Sequence, residues 1–489
     1  MNTNNKFSTI YETSTIKFLK AFYTNNEKKL DFAFYFLLSV QFLSDFADTT
    51  TLPPIYVWGG SFYELFFAVV TFLFSLSCFS SILFTFLFND NVNKTDKYCS
   101  IILLIISGLY FLTNADPNST EISDFLFTIA VCIGKSSNKV VKSLLFPGFS
   151  LLLITILLSQ YGIISDYIYT PMRHSLGFIY CTDFGAHLLF LVIAFIIYKQ
   201  YKVSHQSVTV ILLCFAICKY IANAKTSSFC MLLLLAGISI EYLCIKKLKK
   251  SFFQIFKNIM LIIFPLAYTL FCICTTIYTL KPSLFPENTL TTRFSITSDA
   301  FGLYNISFFS QYINQNGNGG SSGANADASG NSHNLFSNEL SGPSHFIYAL
   351  VILLLAFISL FLFSRKIYLY GSALSIISFM LIAAPGIVAK YSERIVIGGD
   401  GVSNYFWLDC SYIRVLLCNG ILVFLTIMIL TVYVQYKAYK SNNYLFMFIM
   451  CVIALDCTIE HHLTDISYNF IFMLALTDYF DTNKHKKHA

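Results

Sequence analysis

The chain has 489 residues, of which 32 are Lys or Arg and 26 are Asp or Glu, so charged residues make up 12%, where a soluble domain carries about 25%. Hydrophobic residues make up 56%, including 51 Phe and 31 Tyr, and the mean hydropathy is +0.65. That is more apolar surface than one or two cores can hide, which excludes a cytosolic globular enzyme and makes lipid the solvent for most of the chain.

A bilayer core about 30 Å thick takes about 20 apolar helical residues. Stretches that meet or approach this length lie near 30–46, 62–88, 98–113, 122–134, 143–163, 180–198, 207–222, 227–245, 258–280, 346–364, 368–386, 411–435, 442–458 and 467–480, of which the fourth, seventh and last are short enough to be tilted, re-entrant or no span at all. The expected fold is all-α, a polytopic integral membrane protein of about fourteen transmembrane helices. The first thirty residues lack the short apolar core and small-residue cleavage site of a removable signal peptide. The 14 cysteines sit mostly in apolar stretches and form no Cys-x-x-Cys pair, so they read as small core residues.

Short cytoplasmic loops collect Lys and Arg. With the N-terminus inside, the inward loops hold all of the 32 positive residues except Arg173, Lys219, Lys225, Lys281, Arg293, Lys390, Arg394 and Arg414. Both termini are thus expected to be cytoplasmic. The layout is a cytoplasmic segment 1–29, transmembrane helices over 30–280, a large outer loop 281–345, transmembrane helices over 346–480 and a cytoplasmic tail 481–489. Within the loop, Phe301, Tyr304, Phe308 and Tyr312 have the spacing of one helical face, which predicts an interfacial helix over 299–313. Residues 314–344 are rich in Gly, Asn, Ser and Ala and are expected to be disordered.

Inward cations are explained by insertion, so the outward ones are the candidates for function. Arg173 precedes the sixth span, where a guanidinium gives a phosphate two parallel hydrogen bonds. Asp183 and His187 lie four apart, on one helix face and inside the apolar run, where ionisable groups are costly without a polar cavity. Lys225 occupies a tight polar turn, and Arg293 follows Leu290-Thr291-Thr292. Asp409, Tyr412 and Arg414 bring a carboxylate, a phenol and a guanidinium to one helix mouth, and Arg414, inside the apolar run, needs an anionic or carbonyl partner, of which Asp409 is one candidate. The stretch Asp456 to Asp465 contains Glu460, His461 and His462, groups suited to acid–base work. Adjacent histidines seldom share an ion. The chain has no Asp-x-Asp pair and no phosphate-binding Gly-x-x-x-x-Gly-Lys loop, so no metal site or cofactor is expected. No Lys/Arg run is interleaved with aromatic residues in a polar segment, which argues against nucleic acid as a partner.

Four segments resemble those of the Wzy-type polymerases of bacterial O-antigen, capsule and exopolysaccharide. Arg173-His174-Ser175-Leu176-Gly177-Phe178 is similar to that family's Arg-x-x-Leu-Gly-Phe. Leu290-Thr291-Thr292-Arg293 is similar to its Arg-containing outer loop. Leu408-Asp409-Cys410-Ser411-Tyr412 is similar to its Asp-Asn-x-Tyr segment, and Glu460 stands where the family often has Glu in its last outer turn. The family's His-Pro-Asn after Phe178 is replaced by Ile179-Tyr180-Cys181-Thr182-Asp183, which passes any role of that His to His187, and Cys410 replaces its common Asn.

The resemblance implies a membrane glycosyltransferase of the bacterial cytoplasmic membrane. It would join undecaprenyl-diphosphate-linked oligosaccharide repeat units at the outer face, with membrane lipid around it and flippase and chain-length regulator proteins as partners. Arg173, Arg293 and Arg414, with Tyr412 and Lys225, would bind substrate. The catalytic candidates are Asp409, Glu460, His461, His462, Asp183 and His187. Two alternatives stay open, a lipid-linked oligosaccharide flippase and an O-antigen-ligase-like glycan transferase. A flippase is expected to have two similar halves and short loops on both sides, whereas a ligase performs the same chemistry on another acceptor.

Overall fold

The computed structural model describes residues 14–51, 76–86, 89, 92–114, 121–170, 173–199, 205–244, 258–286, 289–313 and 408–480. The helices in chain order are α1 (Ser14–Ala47), α2 (Leu76–Phe86), α3 (Lys94–Thr113), α4 (Glu121–Val131), α5 (Ser137–Gln160), α6 (Cys181–Tyr198) and α7 (His205–Tyr220). They continue with α8 (Lys225–Cys244), α9 (Ile263–Leu280), α10 (Thr289–Leu303), α11 (Ser411–Cys418), α12 (Gly420–Lys440) and α13 (Tyr444–Asp456). Among them α1, α3, α5, α6, α9 and α12 are long and apolar enough to cross a membrane. The chain is an all-α, multi-pass membrane protein.

Local sequence sets several helix starts. Asn93 accepts the Thr95 N–H to cap α3, Asn443 accepts the Phe446 N–H to cap α13, and the Asp183 carboxylate reaches back to the Tyr180 N–H at the start of α6. Helix α6 is the axis of the bundle, with 83% of its span buried, whereas α9 has only 17% buried. Around α6 pack α5, α7 and α8, and α13 ties α8 to α9 and α12.

The two ends of the bundle differ in charge. At the lysine-rich end, Lys135 pairs with Asp31 at 2.6 Å, and Lys437 bridges Asp96 at 3.0 Å and the Ala475 carbonyl at 2.7 Å. The opposite end carries Arg173, Arg293 and Arg414. A two-stranded hairpin there, β1 (Ile168–Thr170) with β2 (Arg173–His174), leads into a turn in which Leu176 and Gly177 have φ of 55° and 87°. Phe178 then bridges back to Thr50 after α1.

Four expected elements take another form. The last apolar stretch, 467–480, is no α-helix: it forms 3-10 turns at Phe470–Leu476 and Asp478–Phe480, enclosed by protein. Phe472 meets Phe125 of α4 edge-on, and Asp478 accepts the Ser137 N–H and hydroxyl at the lysine-rich end. The fourth stretch is an α-helix of only 11 residues, about 16 Å at 1.5 Å per residue. The twelfth is broken at Asn419, between α11 and α12. The helix of the large loop runs over Thr289–Leu303, and 304–313 is irregular. Tyr304 is buried, while Phe308 and Tyr312 are exposed, so their helical spacing does not correspond to a helix. Most of the second stretch, the stretches 346–364 and 368–386, the segment 314–344 and the tail 481–489 lie outside the described residues.

Candidate functional site at the arginine end of the bundle

The turn 457–469 hangs between α13 and the 3-10 segment. Helix α11 is fastened to it: the Ser411 N–H donates to the Cys457 carbonyl at 3.0 Å, and the Ser411 hydroxyl donates to the Glu460 carbonyl at 2.6 Å. This delivers Asp409 and Arg414 from one side of the turn. Arg293 arrives from α10 and pairs with Asp409. Arg414 pairs with Glu121, the first residue of α4, at 3.2 Å, and the Thr464 hydroxyl donates to the other Glu121 oxygen at 2.6 Å. Asp409 and Arg414 thus each form an ion pair with a partner far away in sequence.

His462 is enclosed and bonds Asp456 through Nδ1 at 3.3 Å. Burial opposes its charge, but the Asp456 hydrogen bond and the carboxylates of Asp456 and Glu460 prevail and hold it up at about 9. Burial pushes Glu460 up to about 7 against the pull of His462, with Asp456 and Asp409 adding to the rise. Burial also raises Asp409, and Arg293 is the strongest influence drawing it back. His461 is held well below the usual imidazole range by burial and by Arg414, His462 and Arg293. Asp465 is raised by burial and by Glu121. Near neutral pH the cluster therefore presents three cations, Arg293, Arg414 and His462. Two donor atoms of these cations, Arg293 Nε and His462 Nε2, are buried with no hydrogen-bond partner among the described residues.

The other candidates fall elsewhere. Asp183 and His187 lie in the first two turns of α6, and the structure packs them. Asp183 caps its own helix and bonds the Tyr468 hydroxyl. His187 bonds the Thr49 hydroxyl at 2.8 Å and the Ser467 backbone, and its ring lies between Phe46 at 3.8 Å and Tyr468 at 4.1 Å. The Tyr468 ring also lies 4.2 Å from that of His462, tilted by 38°. Tyr412 donates its hydroxyl to the Ala454 carbonyl at 2.8 Å and is wholly buried, so it fastens α11 to α13. Lys225 opens α8 with an exposed side chain. Arg173 sits on the hairpin, where Asp166 holds His174 at 2.7 Å and accepts the Leu176 N–H at 2.8 Å. Among the described residues no contact joins Arg173 to Arg293 or Arg414.

Glu121 and Tyr468 were not legible as site residues, and Asp456 was visible only as one carboxylate of the stretch 456–465. Glu121 carries a local signal, an acid opening an apolar run with Asp124 one turn on, but its partner Arg414 is 293 positions away. Among the described residues no group of three or more His, Cys, Asp or Glu is placed to hold a metal ion. Beside the cluster lies an apolar groove of about 300 Å³ between α9, α10 and α13. Leu290 and Phe294, which line it, flank Arg293 in sequence, and Thr458, also in its wall, lies two residues before Glu460. Comparison with protein-family models, with curated proteins and with solved structures finds no match for this chain.

Proposed function

We propose that this chain is a polymerase of the bacterial cytoplasmic membrane that joins lipid-diphosphate-linked oligosaccharide repeats at its outer face, with both termini cytoplasmic. The observation that carries the reading is the group of two half-buried guanidiniums, Arg293 and Arg414, with the enclosed His462, at the end of the bundle assigned to the outside, with two donor atoms unpartnered among the described residues. Glycosyl transfer from a lipid diphosphate leaves extra negative charge on the departing diphosphate. Preorganised guanidinium and imidazolium donors in a water-poor cleft stabilise that charge more in the transition state than before it. The adjoining apolar groove suits an isoprenoid chain lying alongside. A flippase has no need of a fixed, recessed cation cluster at one end of the bundle.

Reconstitution in vesicles with a synthetic diphosphate-linked repeat tests this. The expected product is a ladder of chain lengths, and Arg293→Ala and Arg414→Ala should insert normally yet slow extension by about 100-fold or more, the scale of a lost transition-state donor. Transbilayer movement of the lipid without new glycosidic bonds sinks the reading. Transfer of preformed glycan to a second acceptor, with no extension, assigns the chain to the ligases instead. Arg173→Ala, on the hairpin, separates a role in substrate capture from one in the chemical step: capture predicts a raised KM at unchanged kcat.

A further inference from the structure

We propose that Asp409 takes the proton from the acceptor hydroxyl and that Arg293 holds it back until the donor's diphosphate arrives. The inference rests on the polymerase reading and deepens it by assigning the proton acceptor and its control. Glycosyl transfer needs one base beside the departing diphosphate. His187 and Asp183 are closed into the ring stack by Phe46, Thr49 and Tyr468. His462 is engaged by Asp456, and Glu121 is tied to Arg414 and Thr464. Asp409 differs because its partner, Arg293, is also the cation with a spare buried Nε, the natural first contact for an incoming diphosphate.

One guanidinium cannot fully serve a carboxylate and a diphosphate together. Once the diphosphate draws Arg293 away, the influence that holds down the proton affinity of Asp409 fades while its burial persists. The carboxylate becomes a better base only when a leaving group is in place, which keeps it masked in the empty protein. The acceptor O–H bond then breaks with its proton passing to an Asp409 oxygen. The freed oxygen pair bonds the anomeric carbon, and the C–O bond to the diphosphate breaks with its electron pair departing on the polyprenyl diphosphate against Arg293 and Arg414. Asp409 returns its proton to solvent as the diphosphate leaves and the ion pair closes again.

The test uses the full-length protein in vesicles, with inorganic pyrophosphate as the binding probe and the diphosphate-linked repeat as substrate. Asp409→Asn should bind pyrophosphate about tenfold tighter, because the competing carboxylate charge is gone, while extension falls about 100-fold or more, the scale of a lost general base. Tighter binding cannot come from an unfolded variant, so it controls for folding, and Asp409→Glu should recover part of the extension. Unchanged or weaker pyrophosphate binding in Asp409→Asn overturns the masking, and extension kept within about threefold overturns the base assignment. Abolished extension in Glu460→Gln with Asp409→Asn still active moves the base to Glu460 and overturns the proposal. A wild-type protein that makes no glycosidic bond at all defeats the polymerase reading itself.

Discussion

At the residue scale, His462 shows how the cluster keeps a cation inside protein. Its ring is 1% exposed and Asp456 is fully enclosed, a pair that survives burial only because each supplies the other's charge. The linkage to pH has a definite sign. A histidine raised from 6.5 to about 9 contributes stability that is complete below pH 6.5 and is lost as pH rises through 9, on the order of 3 kcal/mol. Glu460, raised from 4.5 to about 7, acts in the same direction at lower pH, since its burial costs more as it ionises between 4.5 and 7. Thermal melting of the detergent-solubilised protein should therefore fall between pH 6.5 and 9. In Asp456→Asn that limb should flatten, with a lower melting temperature at pH 6.5. A variant that keeps the wild-type slope would show that His462 is not the titrating group. Sequence reading found His462, Glu460, Asp409 and the arginines because charge inside apolar stretches is visible locally. It could not name the partners of Asp409 and Arg414 because partner choice is set by how helices meet, and α4 and α10 bring their groups from more than a hundred positions away.

At the element scale, the break between α11 and α12 gives the cluster its geometry. Gly420 has φ of 84°, a conformation that only glycine adopts without strain. Beside it the chain from α10 docks: the Ile421 N–H donates to the Ser307 carbonyl at 3.0 Å, and the Gln311 N–H donates to the Cys418 carbonyl at 2.9 Å. The Gln311 amide also donates to the Leu417 carbonyl at 2.7 Å. The irregular segment thus satisfies carbonyls that the helix break sets free, and it fixes α10, with Arg293, over α11. A Cβ at Gly420 would meet the Phe309 and Phe308 carbonyls. Gly420→Ala should cost at least about 3 kcal/mol, combining left-handed strain with backbone displacement, and should slow extension because Arg293 shifts. Gly162→Ala is the control, with φ of 69° and open space around it, and should cost only about 1–2 kcal/mol. Equal melting temperatures for the two variants would deny the docking its role. Hydropathy predicted the span near 411–435 and averaged over the break, although Asn419-Gly420 is itself a turn dipeptide. The 3-10 form of Phe470–Leu476 was hidden for a related reason: an apolar run of this length is as consistent with a core segment as with a span.

For the whole molecule, three short elements set the depth of the site. Measured from the lysine-rich end, the 11 residues of α4 rise about 16 Å and the 13 residues of α13 about 20 Å. The 3-10 stretch from Phe470 to Phe480 covers about 22 Å at 2 Å per residue. All three meet the polar turn 457–469 or Glu121 short of the roughly 30 Å of a bilayer core, so the cluster is recessed from the arginine end toward the middle of the bundle. The 3-10 stretch still carries the chain from that turn back to the lysine-rich end, where Asp478 bonds Ser137, so it preserves the direction of travel expected of a last span. Which end faces out rests on the lysines, and it can be tested in cells. Lys225 and Lys440 are exposed at opposite ends of the bundle. Lys225→Cys should react with a membrane-impermeant maleimide in intact cells, and Lys440→Cys only after permeabilisation, each measured over the background of the native cysteines. The reverse pattern would turn the recessed cluster toward the cytoplasm. It would then open where lipid-linked repeats are assembled rather than where they are polymerised, and the orientation on which the proposed function depends would be lost.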